Sequence, residues 1–147
     1  MKKFQKAEVE EILSRYRNVA VVGLSRDPSK DSYVIAENLK KEGFKIIPVN
    51  PFAEELLGEK CYKSLLEMPE EIQKTIEIVD IFRPAREVLP IVHEAIRLKE
   101  KFGKPHVIWM QLGIINEEAA KIAKEAGLTV VMDKCIMQEY RRLSTRK

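Results

Sequence analysis

Five short stretches of the chain are apolar with few interruptions: Asn18 to Val22, Lys45 to Val49, Ile76 to Phe82, His106 to Met110 and Thr129 to Met132. Each is rich in β-branched or aromatic residues, which predicts a strand. Val19-Ala20-Val21-Val22 and Val107-Ile108-Trp109-Met110 do not alternate with polar residues, as strands with one wet face would. They are expected to be covered on both faces, the environment of a parallel sheet.

Helical periodicity fills the gaps. Tyr33 to Lys41 stops at Gly43, and Glu117 to Glu125 starts after an Asn116 N-cap and stops at Gly127. Glu87 to Lys101 is helical if Pro90 lies in the first turn, where its missing N–H costs nothing. Pro84 to Val88 then forms a turn. Asn50 to Pro69 carries Pro51, Gly58 and Pro69 and predicts a loop with one short helix. Amphipathic helices at Gln5 to Tyr16 and Ile136 to Leu143 are expected to pack on the sheet. Strand and helix in alternation predict an α/β fold: a three-layer, doubly wound, Rossmann-like parallel sheet of five strands, in the order 3-2-1-4-5.

A length of 147 residues, 45% of them apolar, suits one domain over 1–147. Lys+Arg 26 against Asp+Glu 23 leaves a net charge of +3 with the signs interspersed. That pattern argues against nucleic acid as a partner: hints of a basic arm are confined to Lys2-Lys3 and the tail from Arg141-Arg142 to Lys147, both at the ends. No window approaches the roughly 18 apolar residues that span a bilayer, and the first residues are charged. A cytoplasmic protein is expected. Cys61 and Cys135 lack the spacing of a disulfide framework or a zinc site.

In a doubly wound sheet the ligand sits beyond the carboxyl ends of the strands, which directs attention to the loop after the first. It reads Gly23-Leu24-Ser25-Arg26-Asp27-Pro28-Ser29-Lys30-Asp31-Ser32 and leads into a helix. Gly23 permits a tight turn, Ser25, Ser29 and Ser32 carry hydroxyls, Lys30 adds a charge, and the helix start offers unpaired N–H groups. That chemistry favours an anion such as phosphate. The loop is neither Gly-x-Gly-x-x-Gly nor a Walker loop. The second strand ends in Val49-Asn50-Pro51, where a dinucleotide enzyme usually has a carboxylate for the ribose hydroxyls. A neutral Asn50, with Arg26, Lys30 and Lys45 nearby, suits a phosphorylated ribose better than that of NAD.

With Pro48-Val49-Asn50-Pro51, Asp80-Ile81-Phe82-Arg83-Pro84, Trp109-Met110-Gln111-Leu112-Gly113 and Met132-Asp133-Lys134-Cys135 added, the chain resembles the stand-alone coenzyme A-binding proteins. These are small Rossmann-like domains similar to the N-terminal part of the succinyl-CoA synthetase α subunit. The resemblance covers Asn18 to Leu143. It implies coenzyme A or an acyl-CoA as ligand, with Gly23, Ser25, Ser29 and Lys30 on the phosphates and Pro48 and Asn50 beside the adenosine. Phe82, Arg83 and Val88 would form the next wall, and Gln111 and Gly113 would approach the pantetheine arm or the phosphates. Arg26, Tyr33 and Pro51 complete the candidate set.

No nucleophile and base stand at motif spacing. His93 lies mid-helix and His106 opens a strand, and both read as structural or surface histidines. The expectation is a binding module without catalytic machinery, acting alone, as a homo-oligomer or with a protein partner. The alternative is an NAD(P)-dependent oxidoreductase or an acyl-transfer subunit using the same pocket. Trp109 is expected in the core, and Arg83 to pair with Asp80 or a helix carboxylate. Cys135 falls on the pocket side of the fifth strand, where its thiol could form a mixed disulfide with the ligand's thiol under oxidation.

Overall fold

The computed structural model describes residues 2–145; Met1, Arg146 and Lys147, and with them the end of the basic tail, lie outside the described residues. The main sheet has five parallel strands: β1 (Asn18–Val22), β2 (Lys45–Val49), β5 (Ile78–Ile81), β6 (Val107–Met110) and β7 (Thr129–Val131). All five expected strands are present; the last two are shorter by one residue and the third by three. A two-stranded antiparallel ribbon, β3 (Glu55–Leu56) and β4 (Glu59–Lys60), occupies part of the segment expected to be a loop.

The order across the sheet is β2-β1-β5-β6-β7, which in terms of its five strands is 2-1-3-4-5. This corrects the expected 3-2-1-4-5. The third strand lies beside the first, on the side away from the second, and the physical reason lies in Pro48. The Pro48 carbonyl accepts the Tyr62 N–H (3.0 Å), and the Asn50 N–H donates to the Tyr62 carbonyl (2.9 Å), so the main chain of Pro48 faces outward from β2. The N–H that proline lacks would face the same way, because in a parallel ladder a residue's N–H and C=O point to one side. A strand laid outside β2 would lose that donor; β1 on the inner side loses nothing. In exchange, β5 takes a central position that suits its four fully buried residues.

Two helical layers cover the sheet. On one face α1 (Lys2–Arg15), α2 (Asp31–Lys41) and α6 (Ile136–Thr145) pack on Val19, Val21, Ile46, Ile78 and Trp109. Val9, Ile12 and Leu13 form the buried stripe of α1, so the terminal helices close the core as expected. On the other face α4 (Val88–Phe102) and α5 (Glu117–Glu125), with Leu65, Met68 and Ile72 around the short α3 (Glu70–Gln73), cover Ala20, Val79, Ile81, Ile108 and Met110. Pro90 sits in the first turn of α4, and Asn116 caps α5 by accepting the Ala119 N–H at 2.9 Å, both as the sequence predicts. Pro84 leads into a single 3-10 turn over Ala85–Glu87.

Trp109 is fully buried and donates from Nε1 to the Lys134 carbonyl at 2.8 Å, which fixes the start of the last connection to the sheet. Asp80, its neighbour across the ladder, is also fully buried; neither carboxylate oxygen has a hydrogen-bond partner among the described residues. Burial with nothing to compensate it holds this carboxyl well above the ordinary aspartate range.

Candidate functional site

The carboxyl ends of β1, β2, β5 and β6 share one rim of the sheet, and the loop after β1 forms its crest. Gly23 adopts φ +92° and donates its N–H to the Val49 carbonyl at 3.0 Å. A Cβ at this position would lie 2.8 Å from Arg83 Cδ and 3.2 Å from the carbonyl carbon and oxygen of Phe82. Glycine is therefore required twice over, by its backbone conformation and by the close approach of the loop after β5.

Beyond Gly23 the loop is built from its own side chains. Ser32 Oγ accepts the Ser25 N–H (2.9 Å), and Ser25 Oγ accepts the Asp27 N–H (3.0 Å). The Ser29 N–H and hydroxyl both donate to Asp27 Oδ1 (2.9 and 2.8 Å). Those two bonds hold the Asp27 carboxylate below its ordinary range, so it stays ionised. With Arg26 and Lys30 opposed by Asp27 and Asp31, the loop has no net charge. Backbone donors would therefore add to what Lys30 alone can offer an anion. Such donors exist: no side chain caps α2, whose N-cap position is Lys30, in contrast to the capped α5.

Asn50 ties the rim together. Its Nδ2 donates to the Leu24 carbonyl (2.9 Å) and its Oδ1 accepts the Phe52 N–H (2.7 Å), so the amide joins the loops after β1 and β2. Arg26 Nη1 reaches the Phe52 carbonyl at 3.4 Å. Arg83 pairs with Glu87 through both nitrogens, at 2.9–3.1 Å, and not with Asp80. Of the two partners the sequence left open, the helix carboxylate is the one used.

Two cavities flank this crest. The first, about 460 Å³, has Gly23, Ser25, Asn50, Pro51 and Arg83 in its lining. The second, about 330 Å³, has Phe82 and Gln111 in its lining, with Cys135 beside them. The candidate residues are thus divided between the two sides of β5, with Phe82 on one and Arg83 on the other. Arg26, Ser29 and Lys30 are exposed along the loop, and Tyr33 packs half-buried on the α1/α2/α6 face. Pro48 and Val88 are buried, Val88 completely, so both support the rim from inside the fold. The Gly113 N–H donates to Asp133 Oδ1 at 2.7 Å, which joins the loop after β6 to the one after β7.

Several lining residues escape the sequence reading. Phe52 is 77% exposed on the first cavity, which Lys63, Ser64, Glu87, Ile91 and Glu94 also line. Glu87, Ile91 and Glu94 recur at helical spacing, and that periodicity was the one available signal that a face of α4 looks into the site. Burial raises the Glu94 carboxyl, while the Leu65 N–H donates to it at 3.2 Å. In the second cavity the unforeseen residues include Val34, Ile35, Leu112, Ile114 and Met137.

The histidines stand apart from this rim. His93 is exposed on α4, and His106 stacks on Tyr16 at 4.9 Å, at the opposite end of the sheet. Burial and then the charge of Lys99 lower the His106 pKa. Among the described residues there is no cluster of three metal-ligating side chains, and no helix is long and apolar enough to cross a membrane.

Comparison with known proteins bears on the same elements. The uncharacterized protein YneT of Bacillus subtilis is 40% identical over 131 residues, covering 89% of this chain and 90% of its own length. The ADP-forming acetate–CoA ligase II of Archaeoglobus fulgidus is 42% identical over 80 residues; the match covers 53% of this chain but 11% of the ligase. A solved structure of a hypothetical protein from Pyrococcus horikoshii superposes with a TM-score of 0.84 at 38% identity, covering 95% of this chain and 92% of that one. The family profile described as "CoA binding domain" matches residues 17–141, from the start of β1 into α6 and through every loop of the rim. The chain belongs to the CoA-binding domain family.

Proposed function

We propose that this protein is a single-domain holder of coenzyme A or an acyl-CoA, with the nucleotide phosphates on the Gly23 to Ser32 loop. The observation that carries the reading is the crest itself. A glycine with no room for a Cβ begins a loop that leads, eight residues on, into a helix start that no side chain caps. Phosphate oxygens supply the acceptors that such a start lacks, and its backbone donors add to what Lys30 offers an anion. Family membership supports the identity of the ligand. The first cavity, at about 460 Å³, falls in the size range of small-molecule sites.

In this reading the protein binds the cofactor without a nucleophile or base of its own and acts in the reducing cytoplasm, where its two free thiols persist. Asn50 contributes by joining the loops around the ribose and by bringing no negative charge to it. Thermal unfolding with coenzyme A, dephospho-coenzyme A and NAD tests the proposal. Coenzyme A at about 100 times its Kd should stabilise the protein by about 2.7 kcal/mol, with a smaller shift from the dephospho form and none from NAD. Lys30→Ala should weaken binding by about 1.5–3 kcal/mol if its ammonium meets a phosphate. No shift with coenzyme A would overturn the reading, and an equal shift with NAD would favour an oxidoreductase.

A further inference from the structure

The second cavity has a chemistry of its own. Its lining includes Val34, Phe82, Leu112, Ile114 and Met137, and two of these apolar side chains are strongly exposed, Leu112 at 63% and Val34 at 41%. Apolar surface left open around a concavity is a binding feature more than a packing one. Gln111 also lines it, although the residue is only 3% exposed. Gln111 Oε1 accepts the Ile136 N–H at 3.1 Å. Because that partner is a donor, the orientation of the amide is determined, and Nε2 is the end left over. Nε2 has no protein partner among the described residues, nor does it belong with the sealed, unpartnered atoms, which are those of Asp80 alone. It is a fixed hydrogen-bond donor open to the cavity.

We propose that this cavity receives the acyl end of a coenzyme A thioester whose acyl group is apolar. The inference rests on the coenzyme A reading above and specifies the ligand class. A thioester presents one carbonyl acceptor followed by a hydrocarbon chain, which matches the Gln111 amide beside the apolar side chains of Val34, Leu112, Ile114 and Met137, while Asp31, Asn38, Gln138 and Arg141 complete the lining. The route is short: Phe82 and Arg83, adjacent in sequence, line the second and first cavities respectively. Between them stands Gly23, packed so closely on the Phe82 backbone that a Cβ there would lie 3.2 Å from its carbonyl, so a ligand reaching both cavities passes over this crest. The lining carries one acid, Asp31, against one base, Arg141, and so no net charge that would favour a carboxylated acyl group.

Calorimetric titration of the full chain with coenzyme A, hexanoyl-CoA and malonyl-CoA tests this. Each methylene that leaves water is worth roughly a fourfold gain in affinity when fully buried, so hexanoyl-CoA should bind at least about tenfold tighter than coenzyme A. Malonyl-CoA should show no such gain. Leu112→Asp, at an exposed position that the fold does not need, should bring the hexanoyl-CoA to coenzyme A affinity ratio down to about one. If coenzyme A binds but the hexanoyl chain adds nothing, or if the ratio survives in Leu112→Asp, the acyl assignment is overturned and the coenzyme A reading stands. If none of the three binds, both are overturned.

Discussion

Gly23 concentrates on one residue the constraints that elsewhere are shared by a whole turn. Alanine there would have to hold φ +92° and place a methyl 2.8 Å from Arg83 Cδ, with the Phe82 backbone at 3.2 Å. The Arg83 stem can swing aside; the Phe82 carbonyl, at the end of a buried strand, cannot. Gly23→Ala should therefore destabilise the protein by about 1–3 kcal/mol, measured by urea unfolding, and should weaken ligand binding beyond that. An unchanged midpoint would mean that the loop after β5 moves freely, contrary to its packing. Asn50 shows the opposite kind of residue. The sequence presents it as a ligand contact by its place after the second strand, whereas both ends of its amide serve the Leu24 and Phe52 backbone. Position along the chain was legible there; the Leu24 partner was not, because it lies 26 residues away, whereas Phe52 is two residues on.

Among the elements, those with local causes were readable. The limits of α5 follow from Asn116 and Gly127, and the start of α4 from Pro90. Asn116 does more than cap, since its Nδ2 also donates to the Ala85 carbonyl (2.8 Å) and so ties α5 to the turn that precedes α4. Asn116→Ala should cost about 1–2 kcal/mol in a denaturant titration, toward the upper end for a cap because two bonds are lost. A cost near zero would show that water replaces both. The strand order was harder to read, because it depends on where a 28-residue connection from β2 to β5 comes back, and periodicity says nothing about that. Pro48 held the clue, but only when read for the direction of its missing N–H. The cavities were legible on their strand-end side, where loops of known placement meet. Their outer walls, from α4, α6 and the segment around Ser64, depend on how helices rotate against the sheet.

Across the whole molecule the least expected feature is a carboxyl at the centre of the sheet with no partner. In the unfolded chain Asp80 ionises near pH 4, whereas in the fold its proton is retained to a much higher pH. Over that interval the native state binds the extra proton, so this residue makes stability fall as pH rises. Asp80→Asn removes the ionisation. The stability of the variant relative to wild type, from urea unfolding at pH 5 and pH 7, should increase with pH by up to about 1.4 kcal/mol per unit. Parallel pH profiles would mean that the native state accommodates the charged form. The outer edge of β2 carries a consequence at the same scale. At its carboxyl end the Pro48 carbonyl and the Asn50 N–H are taken by Tyr62, and Pro48 offers no donor, so a strand from another molecule finds an incomplete ladder there. Growth of the sheet by edge-to-edge association is disfavoured at that end of β2, and β7, with three residues, offers only a short ladder at the other border.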